Sequence, residues 1–381
     1  MKRLLLSTFF LLAACADPTL EAQGLHATIS DDVLTIKGQG ERVLLRLPLQ
    51  DLAARRGSAS YQMQFGSFLV EDLPQQAWIN EADFDVDESD DRLRVTVGEL
   101  GTLEVTLPEA GHAVVSWQAS EAHNRARMVF DCAPNEHFMG FGAQTHDVDH
   151  RGQRIPLWVS EQGIGKTDTD EPPEVWFLVG RRHSTHIPVA ATVTSRGIAW
   201  AVETDAYTEV DLCKEKADAT AVELYDNRVT LHLFDGPTPM EALKRFTGWV
   251  GRPKQPPAWA FAPWNDAVFG EENVTRFARM LRDEDLPSSA IWSEDWKGGN
   301  WHGDAYRLEE DWRLDREIYP NFEELTQNLR RVGIQLMVYF NTFVFQRAEV
   351  WSEALANGYM VQSTSGEPVL FQGPNATFSS A

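Results

Sequence analysis

The chain has 381 residues, of which 43% are hydrophobic and 24% are charged. These are values of a globular protein, and the length is sufficient for two or three domains. The formal net charge is −23 and the sequence pI is about 4.8, which argues against nucleic acid and anionic membrane surfaces as partners because both would repel the chain.

The first 15 residues are typical of an export signal rather than of a folded domain. Lys2 and Arg3 precede the apolar run Leu4–Ala14, which is too short to span a bilayer. Because two small residues precede Cys15, the segment resembles a bacterial lipoprotein cleavage box. We therefore expect Cys15 to become the lipidated N-terminus of an exported outer-membrane protein, and this lipid to be its one membrane attachment. An ordinary secretory signal is the alternative.

Residues 16–252 are predicted to form an antiparallel β-sandwich, because short alternating apolar and polar runs are separated by polar turns. The predicted strands include Ala27–Ile36, Arg42–Leu47, Leu93–Val97, Leu103–Leu107, Ala113–Ala119 and Arg228–Phe234. Cys132 and Cys213 lie in the same region. An exported protein permits a disulfide between them, and two buried thiols are the alternative.

Two polar clusters in this region invite a metal hypothesis, which we do not adopt. Asp83, Asp85 and Asp87 match the first ligand positions of a calcium loop, but the position that closes such a loop holds Arg94. The second cluster of His and Asp residues lies in the polar, glycine-rich segment Gly140–Lys166, which we predict to be a long loop. We expect no metal ion and no cofactor.

A helix over Met240–Val250 and a proline-rich linker predict a second domain at residues 253–381. There the pattern predicts strands at Trp259–Trp264, Ser289–Trp292 and Gln335–Phe340, and helices at Val274–Leu281 and Phe322–Val332. Alternating strands and helices indicate a parallel sheet, here the first three βα units of a TIM barrel. The predicted fold class is α+β multidomain, a β-sandwich followed by this partial barrel. Because a full barrel takes about 250 residues, we expect a C-terminally truncated or split protein.

Four motifs make the chain resemble glycoside hydrolase family 31, the retaining α-glucosidase family. Gly236–Pro239 has the sequence GPTP before the helix, and Pro256–Ala260 has the sequence PPAWA where the barrel begins. Ile291–Trp296 has the sequence IWSEDW at the second barrel strand. The segment Gly140–Lys166 is similar to a loop signature of the family's sulfoquinovosidase-like branch. The resemblance extends from about Asp131 to the last residue.

The resemblance implies a carbohydrate-binding site at the carboxyl ends of the barrel strands. The candidate residues are Asp295, Trp296, Glu294, Val268, Asn341, Arg307, Gln144 and Glu161. Asp295 matches an aspartate that accepts hydrogen bonds from hydroxyls of the non-reducing-end sugar, and we expect it to matter for binding and little for stability. The alternative makes Asp295 a loop cap and the tryptophans core residues.

The resemblance also decides which substrates to consider. Arg307 aligns with an arginine that binds the sulfonate in sulfoquinovosidases, a role suited to a permanent, forked cation. The residues that accompany it there are replaced here by Glu294 and Glu310, whose carboxylates would repel a sulfonate or pair with Arg307. An α-glucoside is therefore the expected substrate, and a sulfoquinovoside is the alternative.

No catalytic residue is assigned within the chain. In the family, the nucleophile and the acid/base are carboxylates that follow barrel strands four and six. We expect both positions to lie beyond Ala381, so that the 381 residues alone are inactive. A non-catalytic, carbohydrate-binding surface lipoprotein is the alternative function.

Overall fold

The computed structural model describes residues 17–64, 67–73, 76–167, 180–340, 343–372 and 379–380. Cys15 and Asn341 therefore lie outside the described residues. The chain divides into two compact units, and the main division falls between Arg252 and Pro253. In the part of the chain that the structure describes, no helix is long and apolar enough to cross a membrane.

In its described part, the first unit is built from β-strands that are followed by one α-helix. The strands are β1 Thr19–Ala22, β2 Leu25–Ser30, β3 Val33–Lys37, β4 Val43–Pro48, β5 Leu52–Arg55, β6 Ala59–Gln64, β7 Ser67–Asp72, β8 Phe84–Ser89, β9 Arg92–Val97, β10 Gly101–Glu109, β11 His112–Ala119, β12 Arg125–Asp131, β13 Phe138–Gly140, β14 Gln153–Leu157, β15 Ala191–Thr194, β16 Ile198–Glu203, β17 Thr208–Leu212, β18 Ala219–Leu224 and β19 Arg228–Asp235. Short 3-10 helices lie at Gln39–Glu41 and Leu49–Asp51, and the α-helix is α1 Pro239–Trp249.

Two large antiparallel sheets form the body of this unit. One has the strand order β13-β15-β16-β19-β11-β10-β9-β8, and the other has the order β14-β17-β18-β12-β5. Side chains from both sheets share one buried hydrophobic core. The indole of Trp117 on β11 donates to the carbonyl of Ala53 on β5 at 3.2 Å, which satisfies its buried N–H between the sheets. The predicted β-sandwich is confirmed.

Two elements of this unit differ from the sequence prediction, and one open alternative is decided by the structure. The predicted strand Ala27–Ile36 is wrong: it is the hairpin of β2 and β3, whose turn residues Asp31 and Asp32 both have positive φ. The predicted loop Gly140–Lys166 contains the strand β14, which pairs with β17. Cys132 and Cys213, left open by the sequence, form a disulfide.

The helix α1 begins where the GPTP motif predicts. Thr238 precedes its first turn, where its hydroxyl accepts from the Glu241 amide at 3.3 Å and donates to the Glu241 carboxylate at 2.9 Å. Pro239 occupies the first helical position, where its missing N–H costs nothing. The GPTP motif therefore marks the start of a helix, which Thr238 caps through its bonds to Glu241.

A buried histidine pair lies beneath the end of α1. The Nε2 atom of His112 on β11 is 3.0 Å from the Nδ1 atom of His232 on β19, and both side chains are buried. The ring of Trp249 lies 4.2 Å from the His232 ring, and the other His232 nitrogen is 3.2 Å from the Glu203 carboxylate. Neutral rings satisfy this chain of bonds, with His112 donating to His232 and His232 donating to Glu203.

We expect the free energy of unfolding to decrease as the pH falls from about 6.5 to about 4, because of this pair. Burial, and then the neighbouring His232, lower the pKa of His112 to about 4, whereas an unfolded histidine titrates near 6.5. Between those values the unfolded chain binds more protons, which costs at most about 3 kcal/mol. Urea unfolding across this range should show a weaker pH dependence for His112→Phe than for the wild type. Equal slopes would contradict the assignment.

The second unit begins with a 3-10 helix at Ala258–Phe261, and another 3-10 helix spans Asp295–Lys297. Its strands and α-helices are β20 Trp264–Asp266, α2 Gly270–Asp283, β21 Ala290–Ser293, β22 Gly299–His302, β23 Ala305–Leu308, α3 Phe322–Arg331, β24 Gln335–Val338, α4 Val350–Ala356, β25 Phe371–Gln372 and β26 Ser379–Ser380. The strands β20, β21 and β24 form a parallel sheet in that order. Apolar faces of α2 and α3 share a core with β21, which confirms the predicted βα units.

Two strand predictions in this unit need correction. The first strand is not Trp259–Trp264, because that run begins as the 3-10 helix and the strand is Trp264–Asp266. The third strand, predicted at Gln335–Phe340, ends at Val338, and all four of its residues are half-buried. The reason is topological, since this strand lies at the edge of the sheet and the predicted second strand lies at its centre.

Candidate functional site

The candidate site lies at the carboxyl ends of the strands in the parallel sheet. The register places Asp266, the last residue of β20, opposite Trp292, and Ser293, the last residue of β21, opposite Val338 on β24. Because the carboxyl ends of parallel strands share one edge, the segments that follow them meet there. Glu294 and Asp295 follow β21 directly.

The carboxylate of Asp295 is enclosed by protein and has an exposed fraction of 0%. Its Oδ2 atom accepts hydrogen bonds from the backbone N–H groups of Phe269 and Gly270 at 2.7 and 3.0 Å. The same oxygen accepts from the Tyr306 hydroxyl at 2.7 Å. One buried oxygen thus joins the start of α2 to the β22–β23 hairpin.

The second oxygen of Asp295 is also occupied. Its Oδ1 atom accepts from the Ser293 hydroxyl at 2.9 Å and from the hydroxyl of the fully buried Tyr319. With five protein donors, the carboxylate offers no free oxygen to a sugar in this structure. The geometry favours the alternative given above, in which Asp295 holds the loops of the site together.

The backbone around Asp295 requires two glycines and one unusual φ. Gly270 has a φ of 80° and Phe269 a φ of 73°, so both backbones are in the left-handed region that a phenylalanine rarely adopts. This conformation turns both N–H groups toward the Asp295 carboxylate. A Cβ atom on Gly299 would clash with the Tyr306 hydroxyl that reaches the same carboxylate. The residue types at these positions are therefore constrained by the hydrogen bonds that the Asp295 carboxylate accepts.

Glu294 is the carboxyl that the site leaves half-buried. Burial raises the pKa of Glu294, the negative charge of Asp266 raises it further, and Lys297 opposes this rise. Burial likewise raises the pKa of Asp266. These two carboxyls at one edge make the local potential negative, so ligand groups that donate hydrogen bonds are favoured and further anions are disfavoured.

A buried ion pair lies beneath this edge. The side chain of Lys297 has an exposed fraction of 0%, and its ammonium group is 2.8 Å from the Glu310 carboxylate. The ammonium also lies 4.8 Å from the centroid of the Tyr339 ring. The sequence had offered Arg307 as a partner of Glu310, but the partner is Lys297. Arg307 is half-buried on β23, opposite Asn300.

The other sequence candidates in this unit fall into different environments. Trp296 belongs to the hydrophobic core, with 7% of its surface exposed and its indole N–H donating to the Tyr339 carbonyl at 2.7 Å. Val268 is half-buried, and its carbonyl accepts from Asn273 at 2.6 Å. The sugar contacts expected of Val268 and Trp296 stay predictions. Asn341 lies outside the described residues.

Gln144 and Glu161 lie in the first unit. Both are half-buried. The Gln144 amide donates to the Phe141 carbonyl at 3.3 Å, and the Glu161 carboxylate is 2.9 Å from the imidazole of His186. Both lie beside the segment at residues 185–187, because the Thr185 hydroxyl donates to the Ala143 carbonyl and His186 pairs with Glu161. Their role in lining a pocket stays a prediction.

The sequence reasoning missed several residues of the site, namely Asp266, Lys297, Tyr306 and Tyr319. The signal for Asp266 was the same as for Asp295, a carboxylate directly after an apolar strand, but the strand had been placed too early. No local signal identified the two tyrosines, since they lie 11 and 24 residues beyond Asp295.

Comparisons with known proteins agree with this architecture. A profile of the glycosyl hydrolases family 31 TIM-barrel domain matches residues 253–379. A profile of the glycosyl hydrolase 31 N-terminal galactose mutarotase-like domain matches residues 29–172. A β-sandwich followed by βα units that both carry this family's signature defines the class, and the chain belongs to glycoside hydrolase family 31.

Individual relatives are similar over most of the chain. A sulfoquinovosidase of Agrobacterium fabrum is 27% identical over 91% of this chain and 52% of its own length. A sulfoquinovosidase of Escherichia coli is 24% identical over 83% of this chain and 48% of its own length. The structure of a family 31 sulfoquinovosidase from E. rectale, bound to an aza-sugar inhibitor, has a TM-score of 0.82 and 19% identity, with 93% of this chain and 54% of that chain covered. The chain thus spans about half the length of these relatives.

Proposed function

We propose that the chain belongs to a retaining glycosidase that cleaves α-glycosidic bonds. The segments that follow β20 and β21 form the sugar-binding edge of its barrel domain. The observation that carries the proposal is the convergence of Asp266 and Glu294 at the carboxyl ends of β20 and β21, in a domain of family 31. Carboxylates there accept hydrogen bonds from sugar hydroxyls.

The chemistry proposed for the site has two displacements. A carboxylate attacks the anomeric carbon while a carboxylic acid protonates the departing oxygen, and water then releases the sugar with its configuration retained. By the family resemblance, these two groups follow strands four and six, whereas the described sheet comprises β20, β21 and β24. We therefore assign Glu294 and Asp266 to orienting the sugar, and not to nucleophilic attack.

The negative potential at this edge supports a neutral sugar as the substrate. The pKa of Glu294 is raised by burial and by Asp266, so the site already holds negative charge with difficulty. A sulfonate placed there would add to the repulsion. Arg307 on the β22–β23 hairpin favours the second candidate, a sulfoquinovoside, because a guanidinium pairs well with a sulfonate.

A substrate comparison tests the proposal. We expect the full product of the gene to hydrolyse an aryl α-glucoside with a higher kcat/KM than the matching aryl α-sulfoquinovoside, and the 381-residue chain alone to hydrolyse neither. The aryl β-glucoside is the control and should remain intact. Preference for the sulfonated substrate would replace the first candidate by the second, and turnover by the 381 residues would show that the catalytic carboxylates lie within them.

A further inference from the structure

A cavity of about 190 Å³ lies on the outer face of the sheet β14-β17-β18-β12-β5, and we term it the sandwich cavity. Alternate residues of these strands enter the shared hydrophobic core, whereas the residues between them line the cavity. The lining includes Ala53, Ala219 and Ala221, whose small side chains leave the space open. All lining residues belong to the first unit.

One wall of the sandwich cavity is the half-buried indole of Trp78, which neighbouring groups hold in place. The next residue, Ile79, exchanges two backbone hydrogen bonds with Ala54 on β5, at 2.9 and 3.1 Å. The guanidinium carbon of Arg55 lies 4.3 Å from the centroid of the indole. The amide nitrogen of Asn80 donates to two backbone carbonyls at 2.8 and 3.2 Å, so its oxygen remains an acceptor at the cavity.

The guanidinium of Arg127 supplies hydrogen-bond donors at the cavity. Its side chain is only 21% exposed, and it lies 3.4 Å from the Glu223 carboxylate and 3.6 Å from the Glu215 carboxylate. These are ion pairs without hydrogen bonds, and the buried Nε atom has no hydrogen-bond partner among the described residues. Because donors so little exposed are normally paired in a folded protein, this guanidinium has capacity to donate to a ligand.

Three carboxylates supply acceptors. The Oδ1 atom of Asp211 accepts from the backbone N–H groups of Lys214 and Glu215 at 2.9 and 3.2 Å, whereas its Oδ2 atom accepts from no described residue. Asp51 and Glu215 also line the cavity, and Lys216 adds a second cation to the guanidinium. With three anionic groups and two cationic groups, the lining disfavours an anionic ligand.

We propose that the sandwich cavity is an accessory site that binds one neutral monosaccharide. The hydroxyls of a sugar both donate and accept, as a lining of carboxylates and a guanidinium requires, and the C–H face of its ring suits the indole. The volume is about that of six water molecules and is smaller than the roughly 300 Å³ at which sites for drug-sized ligands begin. It therefore suits a single ring. The inference goes beyond the proposed function, since the cavity shares no residue with the barrel edge.

Fluorine NMR of the 381-residue chain labelled with 5-fluorotryptophan tests this site. The Trp78 signal is assigned by its absence from Trp78→Phe, and it reports on the sandwich cavity alone. We expect D-glucose to shift this signal saturably. Arg127→Gln should raise the Kd at least about tenfold, as the loss of a hydrogen bond to a charged group implies. Ala219→Leu fills the cavity without removing a charge and should abolish the shift.

Arg92→Gln is the matched control, because Arg92 forms a similar ion pair of 3.6 Å with Glu104 on the other large sheet. Its Kd should equal that of the wild type, and circular dichroism verifies that each variant is folded. The absence of a saturable shift with D-glucose, or a wild-type Kd for folded Arg127→Gln, overturns the inference.

Titrations with other probes test the assigned ligand chemistry. Sodium sulfate represents an anion and choline chloride a cation, and both should bind more weakly than D-glucose. Binding of either probe as tightly as D-glucose would overturn the assignment to a neutral sugar. The Trp78 signal is measured without any hydrolysis, so failure of the accessory site and failure of the proposed glycosidase are distinguished.

Discussion

Replacement of Asp295 by alanine is expected to lower the thermal midpoint of the second unit by at least about 10 °C, from the loss of roughly 4 kcal/mol or more. The substitution removes both acceptor oxygens and leaves the buried N–H groups of Phe269 and Gly270 without partners. Each unpaired buried donor costs about 1–3 kcal/mol. The hydroxyls of Tyr306 and Tyr319 lose the same acceptor.

Asp295→Asn should be destabilised by a smaller amount. The amide oxygen can accept from Phe269 and Gly270, and the new NH2 group can donate to the hydroxyls of Ser293 and Tyr319, which rotate to accept. Asp266→Ala is the matched control at the same edge, because the Asp266 side chain is exposed and its removal relieves repulsion with Glu294. A wild-type thermal midpoint for Asp295→Ala, measured by calorimetry, would refute the structural role of this carboxylate.

Replacement of Lys297 by methionine is expected to cost about 3–5 kcal/mol in the free energy of unfolding. Methionine replaces the apolar part of the lysine side chain but leaves the Glu310 carboxylate, only 12% exposed, without its cation. The same change removes the cation above the Tyr339 ring. Urea unfolding measures the loss, and the double variant Lys297→Met/Glu310→Gln should regain part of it, because no buried charge remains unpaired.

The exposed pair Arg316 and Glu323 provides the control for Lys297. Its nitrogen–oxygen distance of 2.6 Å is shorter than that of the buried pair, but both side chains are more than half exposed. Solvent screens such a pair, so Arg316→Met should leave the unfolding transition nearly unchanged. Equal stability of the Lys297→Met variant and the wild type would show that the buried pair contributes no net stability.

Much of the fold followed from periodicity, and the failures have physical causes. The stripe of Val274, Ala278 and Leu281 predicted α2 because burial of one helix face repeats with the helical period. The first barrel strand was misplaced because a short apolar run after two prolines fits a helical turn as well as a strand. The β2–β3 hairpin was missed because its turn is formed by Asp31 and Asp32 rather than by a glycine.

The site shows where sequence reasoning ends. The strand-end position of Glu294 and Asp295 could be predicted, but not which carboxylate turns inward. That choice depends on Tyr306 and Tyr319, which supply hydroxyls only after the chain has folded back. Likewise, the pairing of Glu310 with Lys297 rather than Arg307 depends on side-chain direction, which spacing does not reveal.

Proton NMR of the first-formed product tests whether the proposed glycosidase retains the configuration of the anomeric carbon. The full product of the gene is mixed with an aryl α-glucoside, and the anomeric proton of the released sugar is followed before mutarotation. A retaining family 31 mechanism predicts that the α-anomer appears first and the β-anomer accumulates only later. Initial release of the β-anomer, or cleavage of the β-glucoside instead, would contradict the claim.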